Sequence, residues 1–124
     1  MRLATFEHHM KIAHLSLELI KKFGGEFITE RMLWHETGLG RSGIKISDGV
    51  LLLPDKRIAI EVELTPKGTE RLKKIINNYR KDFQYQEVWY FCGNNEVMNK
   101  LKKVAANISI VKCFDLRDFI QEKN

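Results

Sequence analysis

The chain has little of what would place it in several large classes. It has two cysteines, two prolines and no run approaching the roughly 18 apolar residues that a bilayer-crossing helix needs. Cys92 and Cys113 lie in the apolar runs VWYFCG and ISIVKCF, with no CxxC partner and no histidine at zinc spacing. A disulfide scaffold and a structural zinc are thereby excluded, and two reduced, mostly buried thiols are expected. The opening MRLATFEHHMKIAHL lacks the apolar segment and small-residue cleavage site of a secretory signal, which points to a cytoplasmic protein with no membrane attachment. Pro54 and Pro66 each stand beside a strand-like run and mark turns. There is no repeat, low-complexity tract or Pro/Gly/Ser linker, so residues 1–124 are expected to form one domain.

What is present is an ordinary apolar fraction, 44%, and an excess of 21 Lys and Arg over 16 Asp and Glu, a net charge of +5. The distribution says more than the total. Lys67, Arg71, Lys73, Lys74, Arg80 and Lys81 crowd one segment, and Lys100, Lys102 and Lys103 another. An anionic partner is one reading and two solvated helix faces the other.

Helical spacing of Phe6, Ile12, Leu15, Leu19 and Ile20 predicts a helix over 5–23, stopped by Gly24 and Gly25. Residues 26–34 read as extended and 35–43 as a Gly-rich loop. Strands are expected at 44–53 and 57–64, joined as a hairpin through Pro54-Asp55-Lys56. The stripe Leu72, Ile75, Ile76, Tyr79 and Phe83 predicts a helix over 67–83 with a basic remaining surface. A strand at 88–92, a helix at 96–106, a strand at 108–114 and a short helix at 115–121, capped by Asp115, complete the chain. The fold class is α/β: a mixed central sheet, in the order α-βββ-α-β-α-β-α, flanked by helices. Helix, three strands, helix, strand is also the core order of the PD-(D/E)xK nuclease-like folds, although other α/β folds share parts of it.

The informative segment is IAIEVELTPK, 58–67. Alternation puts Ile58, Ile60, Val62 and Leu64 on one face and Glu61 and Glu63 on the other, about 7 Å apart. On a central strand these carboxylates suffer desolvation and mutual repulsion unless a cation, a proton or a metal relieves them. The competing reading is a strand with one solvated face. Asp48 in ISDGV is as far from the Pro54 turn as Glu61, so a hairpin brings the two together. Such an oxygen-rich set suits Mg²⁺ or Mn²⁺ and phosphodiester hydrolysis, in which the metal activates water and stabilises the leaving oxygen. The nuclease motif is Asp, a gap, then (Asp/Glu)-x-Lys; here it reads Asp48, then Glu61-Val62-Glu63, with glutamate where lysine is usual. Lys67, Lys45 and Lys74 are the candidate replacement cations.

The segments FITERML (27–33), SDGVLLLPDKRIAIEVELTPKGTERLKKIINNYRKD (47–82) and EVWYFCGNNEVMNKLKKV (87–104), with HHMKIAHL (8–15), resemble the C-terminal domain of the replication-relaxation family of plasmids, phages and integrative elements. The resemblance implies a PD-(D/E)xK nuclease-like fold and a part in replication, relaxation or mobilisation of such an element. It implies DNA as a partner, replication or relaxosome proteins as further partners, and a family winged-helix region for which this sequence is expected to have no room. By likeness the site comprises His8, Glu30, Asp48, Glu61, Glu63, Lys67 and Tyr79. Asp48, Glu61 and His8 would hold the metal, while Glu63 or Lys67 orients or deprotonates water; Lys67, Arg71, Lys74 and Arg80 would bind the backbone. Two alternatives stay open: a non-catalytic DNA-binding accessory module, and a protein–protein adaptor using the aromatics of QYQEVWYF (84–91). Tyr79 and His8 also fit purely structural roles, in the core and on the helix surface.

Overall fold

The strand Lys56–Glu63 alternates as its sequence predicts, with Ile58, Ile60 and Val62 to one side and Ala59, Glu61 and Glu63 to the other. Both sides are covered, because it is the middle strand of five. In the computed structural model, which describes residues 3–37 and 47–120, the order is α1 (Leu3–Phe23), β1 (Glu26–Thr29), α2 (Glu30–Thr37), β2 (Gly49–Leu53), β3 (Lys56–Glu63), α3 (Thr69–Lys81), β4 (Glu87–Cys92), α4 (Asn95–Val104), β5 (Val111–Asp115) and a 3₁₀ turn, Leu116–Asp118. The strands lie in sequence order; β1–β2–β3 is an antiparallel meander, and β4 and β5 add in parallel beside β3.

One face packs on α1: Leu15 and Leu19 meet Leu51, Ile58, Ile60, Val62, Trp89 and Phe91, with Leu116 and Ile120 closing the far side. The other face lies under α3 and α4, where Leu72, Ile75, Ile76 and Tyr79, then Val97 and Leu101, cover Ala59, Val88, Tyr90 and Cys92. Helices therefore flank both faces, as expected for an α/β chain. Among the described residues no helix is long and apolar enough to cross a membrane.

Local expectations need four corrections. Residues 26–34 are not one extended run: the strand stops at Thr29, and α2 follows, including His35–Thr37 of the expected loop. Thr29 explains the switch, since its Oγ1 accepts the Met32 amide at 3.3 Å and so caps the helix start. The last strand starts at Val111 rather than 108, and the closing helix is one 3₁₀ turn, although Asp115 does accept the Arg117 amide as its cap. Trp89, Tyr90 and Phe91 are core residues, which removes them as adaptor anchors. Lys45 and the remainder of the Gly-rich loop lie outside the described residues.

The two glycines after α1 do distinct work. Gly24 (φ +75°) closes the helix by donating to Ile20 O at 2.8 Å. At Gly25 (φ +80°) an added Cβ would fall 2.1 Å from Leu52 O, so only glycine lets the chain turn this close to β2.

A buried acid outside the expected set ties the lower end of the sheet. Glu87 opens β4, where Lys56 Nζ (2.6 Å), Lys112 Nζ (2.9 Å) and Trp89 Nε1 (2.9 Å) all reach it. Burial opposes its ionised form, but these three donors outweigh that effect and bring its pKa down to about 2. A depressed pKa stabilises the fold above the unfolded-state value and ceases to do so as pH falls through the folded-state value. Glu87→Gln is therefore expected to cost about 2 kcal/mol at pH 7, a figure already discounted for the half-exposed lysines. Urea melts should show the difference between variant and parent shrinking from about pH 4.5 downward and vanishing near pH 2.

Candidate functional site

Three strands set the site by register. Gly49 pairs with Ile60, so Asp48, one residue earlier, continues the ladder opposite Glu61. Glu61 pairs in turn with Tyr90, Glu63 with Cys92, and Tyr90 with Cys113. Glu61, Tyr90 and Cys113 thus form one rank across the sheet, on the side covered by α3 and α4, with Asp48 just beyond the start of β2 at its end. The carboxylates are almost wholly enclosed: Asp48 is 8% exposed, Glu61 1% and Glu63 5%. The solvated-face alternative is excluded by these values.

β3 outruns β2 at this end, which leaves the Val62 peptide without strand partners on that side. Side chains replace them. Asp48 Oδ2 accepts the Val62 amide at 2.8 Å, and His8 Nε2, reaching from α1, donates to Val62 O at 3.0 Å. His8 Nε2 is also 3.4 Å from Asp48 Oδ2. Its hydrogen bond to Asp48 raises the His8 pKa against the opposing effect of burial, with the Asp48 charge and the Val62 carbonyl adding to the rise.

Glu61 accepts a hydrogen bond from the Tyr79 hydroxyl of α3, and the Lys67 ammonium bonds both oxygens of Glu63. Burial first, then the Glu61 charge and their hydrogen bond, push the Tyr79 phenol well above its ordinary range, so it remains a donor. Tyr79 is therefore at once a core residue of the α3 stripe and a partner of the acid. Tyr90 is shifted the same way by burial and by Glu61, Glu63 and Asp48. Its hydroxyl, and the Ser47 hydroxyl next to Asp48, are buried with no partner among the described residues. A buried unpaired hydroxyl costs about 1–3 kcal/mol.

Of the expected residues, six meet in pairs along the end of β3: His8 with Asp48, Tyr79 with Glu61, and Lys67 with Glu63. Glu30 does not join them. It opens α2 beside β1, so the width of β2 separates it from β3. The expected basic stripe divides. Lys67 is engaged with Glu63. Lys74 and Arg80, with Lys73, Asn77 and the acid Glu70 that pairs with Lys73, line a groove of about 490 Å³ between α3 and the end of α4, bounded by Val104 and Ile108. Lys74 thus faces this groove rather than the acids. Arg71, nine residues before Arg80, falls on the opposite flank of the helix at about 100° per residue. Sequence reasoning missed the Val62 peptide, Tyr90 and Ser47. The parity of Tyr90 with Val88 and Cys92 was visible, but only the β3–β4 register sets it beside Glu61.

Among the described residues no three His, Cys, Asp or Glu side chains form a ready metal cluster. What does converge is a mixed donor set, His8 Nε2, Asp48 Oδ2 and Val62 O, within 3.4 Å of the imidazole nitrogen. An imidazole, a carboxylate and a carbonyl fit a divalent ion in kind once His8 loses its Nε2 proton. No protein-family model matches the chain, and no curated protein matches it.

Proposed function

We propose that this chain is a DNA-acting domain of PD-(D/E)xK nuclease-like fold serving replication, relaxation or mobilisation of a mobile element, with metal-dependent phosphodiester hydrolysis as its activity. The observation that carries the reading is the enclosure of Asp48, Glu61 and Glu63 together at the exit of the central strand, beside His8 and Lys67. Three acids in an apolar layer cost several kcal/mol unless each is paired and hydrogen-bonded, and the partners that answer them gather at this one end of the sheet. The topology supports it further: an antiparallel meander followed by a parallel strand, with α1 reaching the Asp48 end.

In this reading His8 and Asp48, and by the resemblance Glu61, would hold Mg²⁺ or Mn²⁺. The ion would supply charge for the scissile phosphate and an acidified water. Lys67 provides, from one turn downstream, the ammonium that the motif usually carries at position 63. Glu63 holds that ammonium in place as its ion partner. Tyr79 fixes the Glu61 carboxylate by donating a hydrogen bond to it. Lys73, Lys74 and Arg80 contact backbone phosphates along the α3 groove, so DNA binding falls steeply with salt.

A second reading keeps the fold and the DNA contacts without cleavage, as a relaxosome or replication accessory module. It is favoured by the partners that Asp48, Glu61 and Glu63 have within the chain itself. Two measurements separate the readings: Mn²⁺ calorimetry, and cleavage of supercoiled and single-stranded DNA with Mg²⁺ or Mn²⁺. Metal uptake with cleavage that Lys67→Ala removes supports the nuclease; salt-sensitive DNA binding with neither supports the accessory module.

Tyr90→Phe provides an independent check. Removing an unpaired buried hydroxyl is expected to stabilise the metal-free protein by about 1 kcal/mol in thermal melts, while Mn²⁺ affinity falls several-fold. A variant neither more stable nor weaker for Mn²⁺ would show that the hydroxyl has no such role.

A further inference from the structure

The outer face of α1 carries a second apolar stripe that the fold does not use. Phe6, Met10, Ala13, Leu17 and Ile20 are spaced alternately four and three residues apart, the seam of a helix-pairing heptad. The inward set, His8, Ile12, Leu15 and Leu19, lies about 150° away around the helix. Phe6, Met10, Leu17 and Ile20 are 49%, 55%, 61% and 40% exposed. Together they offer roughly 400 Å² of apolar surface, the size of the largest patch that a single chain commonly exposes and that is often functional. Beside the stripe runs a groove of about 460 Å³ lined by Glu7, Met10, His14, Leu17 and Ile120, which can receive apolar side chains.

The charges on the flank of the stripe name the occupant. Glu7, His14 and Lys21 occupy the same heptad position, one heptad apart, with the acid at one end and the base at the other. All three are exposed; Lys21 makes only a loose 3.4 Å contact with Glu18 on its own helix and keeps 74% of its side-chain surface. When two copies of such a helix run antiparallel about a two-fold axis, Glu7 of each faces Lys21 of the other, and His14 sits at the axis. The same operation sets Met10 against Ile20 and Ala13 against Leu17, so the small residue meets a large one. A parallel pair would instead oppose this flank to His9 and Ser16, with no complementary charge.

We propose that the protein forms an antiparallel dimer of two copies through the outer stripe of α1. Such a contact buries about 1,000 Å² in total, at the lower end of specific interfaces, which suits an association in the micromolar range. The dimer leaves the acid rank under α3 and α4 uncovered, so its existence is independent of the nuclease reading.

Sedimentation equilibrium of the 124-residue chain at tens of micromolar is expected to give twice the 14.5 kDa chain mass. Leu17→Glu, at an exposed position, should weaken association about 100-fold while leaving the circular-dichroism melt unchanged. Lys21→Glu should weaken it about tenfold, and Glu7→Lys combined with Lys21→Glu should restore it to within about threefold of the parent. A parent that remains monomeric would overturn the proposal. So would a dimer that survives Leu17→Glu, or a double swap that fails to restore association, because each assigns the face to another partner or another geometry.

Discussion

Asp48→Asn is expected to keep the fold and lose the site, whereas Asp48→Ala is expected to damage both. An asparagine side-chain oxygen can still accept the Val62 amide, now bonded at 2.8 Å, so stability should change by about 1 kcal/mol or less. The negative charge beside His8 disappears, however. With it goes the largest influence raising the His8 pKa, and NMR titration should find that pKa back near or below 6.5. The sign of the linked stability follows. A raised histidine pKa contributes stability in full below about 6.5 and loses it as pH rises through the folded-state value, so the parent should gain stability on mild acidification and Asp48→Asn should not. In the nuclease reading the same change weakens divalent binding by at least about tenfold and removes cleavage. Asp48→Ala leaves the buried Val62 amide without an acceptor and should cost about 2–3 kcal/mol. Loss of DNA binding in the alanine variant therefore does not separate function from folding; the asparagine variant is the informative one. Preserved cleavage in Asp48→Asn would remove Asp48 from the reaction.

The second large effect appears in alkali. Tyr79 and Tyr90 both have phenols raised above 10 by burial and by neighbouring carboxylates. Below about pH 10 they are protonated whether the chain is folded or not, and contribute nothing to pH dependence. Above that pH the unfolded chain releases both protons and the folded chain keeps them, so stability falls as pH rises, by about 1.4 kcal/mol per pH unit for each tyrosine. Chemical melts between about pH 10 and 11.5 should give a combined slope of about 2.7 kcal/mol per unit from the pair. Tyr90→Phe should remove half of it. Tyr79→Phe should do the same, but with about 2 kcal/mol of stability lost at pH 7 because Glu61 loses a donor. An unchanged alkaline slope in Tyr90→Phe would mean that its hydroxyl ionises freely in the folded protein.

Much of this architecture is legible from local pattern. Alternation in 58–64 and the turn at Pro54 are enough to pair Asp48 with Glu61, because hairpin register is set by distance from the turn. The apolar stripe of α3 is readable from its period as far as Tyr79, but Phe83, expected to continue it, lies past the helix end at Lys81 and is 91% exposed; the cap at Asp115 is readable from its residue type. The strand-to-helix switch at Thr29 is not, since FITERML has enough β-branched and aromatic character to read as extended, and one side-chain cap decides against it. The basic residues mislead in a different way. Clustering in sequence implies a common surface, yet a helix distributes neighbours around its axis, and Arg71 and Arg80 end on opposite flanks. Lys67 is recognisable as a cation for the acids, because a residue one turn past a strand end can fold back over it.

Strand parity and turn position are local properties of the chain, and they suffice to force three carboxylates into the central part of an α/β sheet. What answers their charge emerges only from packing: His8 from α1, Tyr79 from α3 and Lys67 from the loop beyond β3. Those partners lie on different elements, and the distance between such elements along the chain carries no information about where the folded molecule brings their side chains.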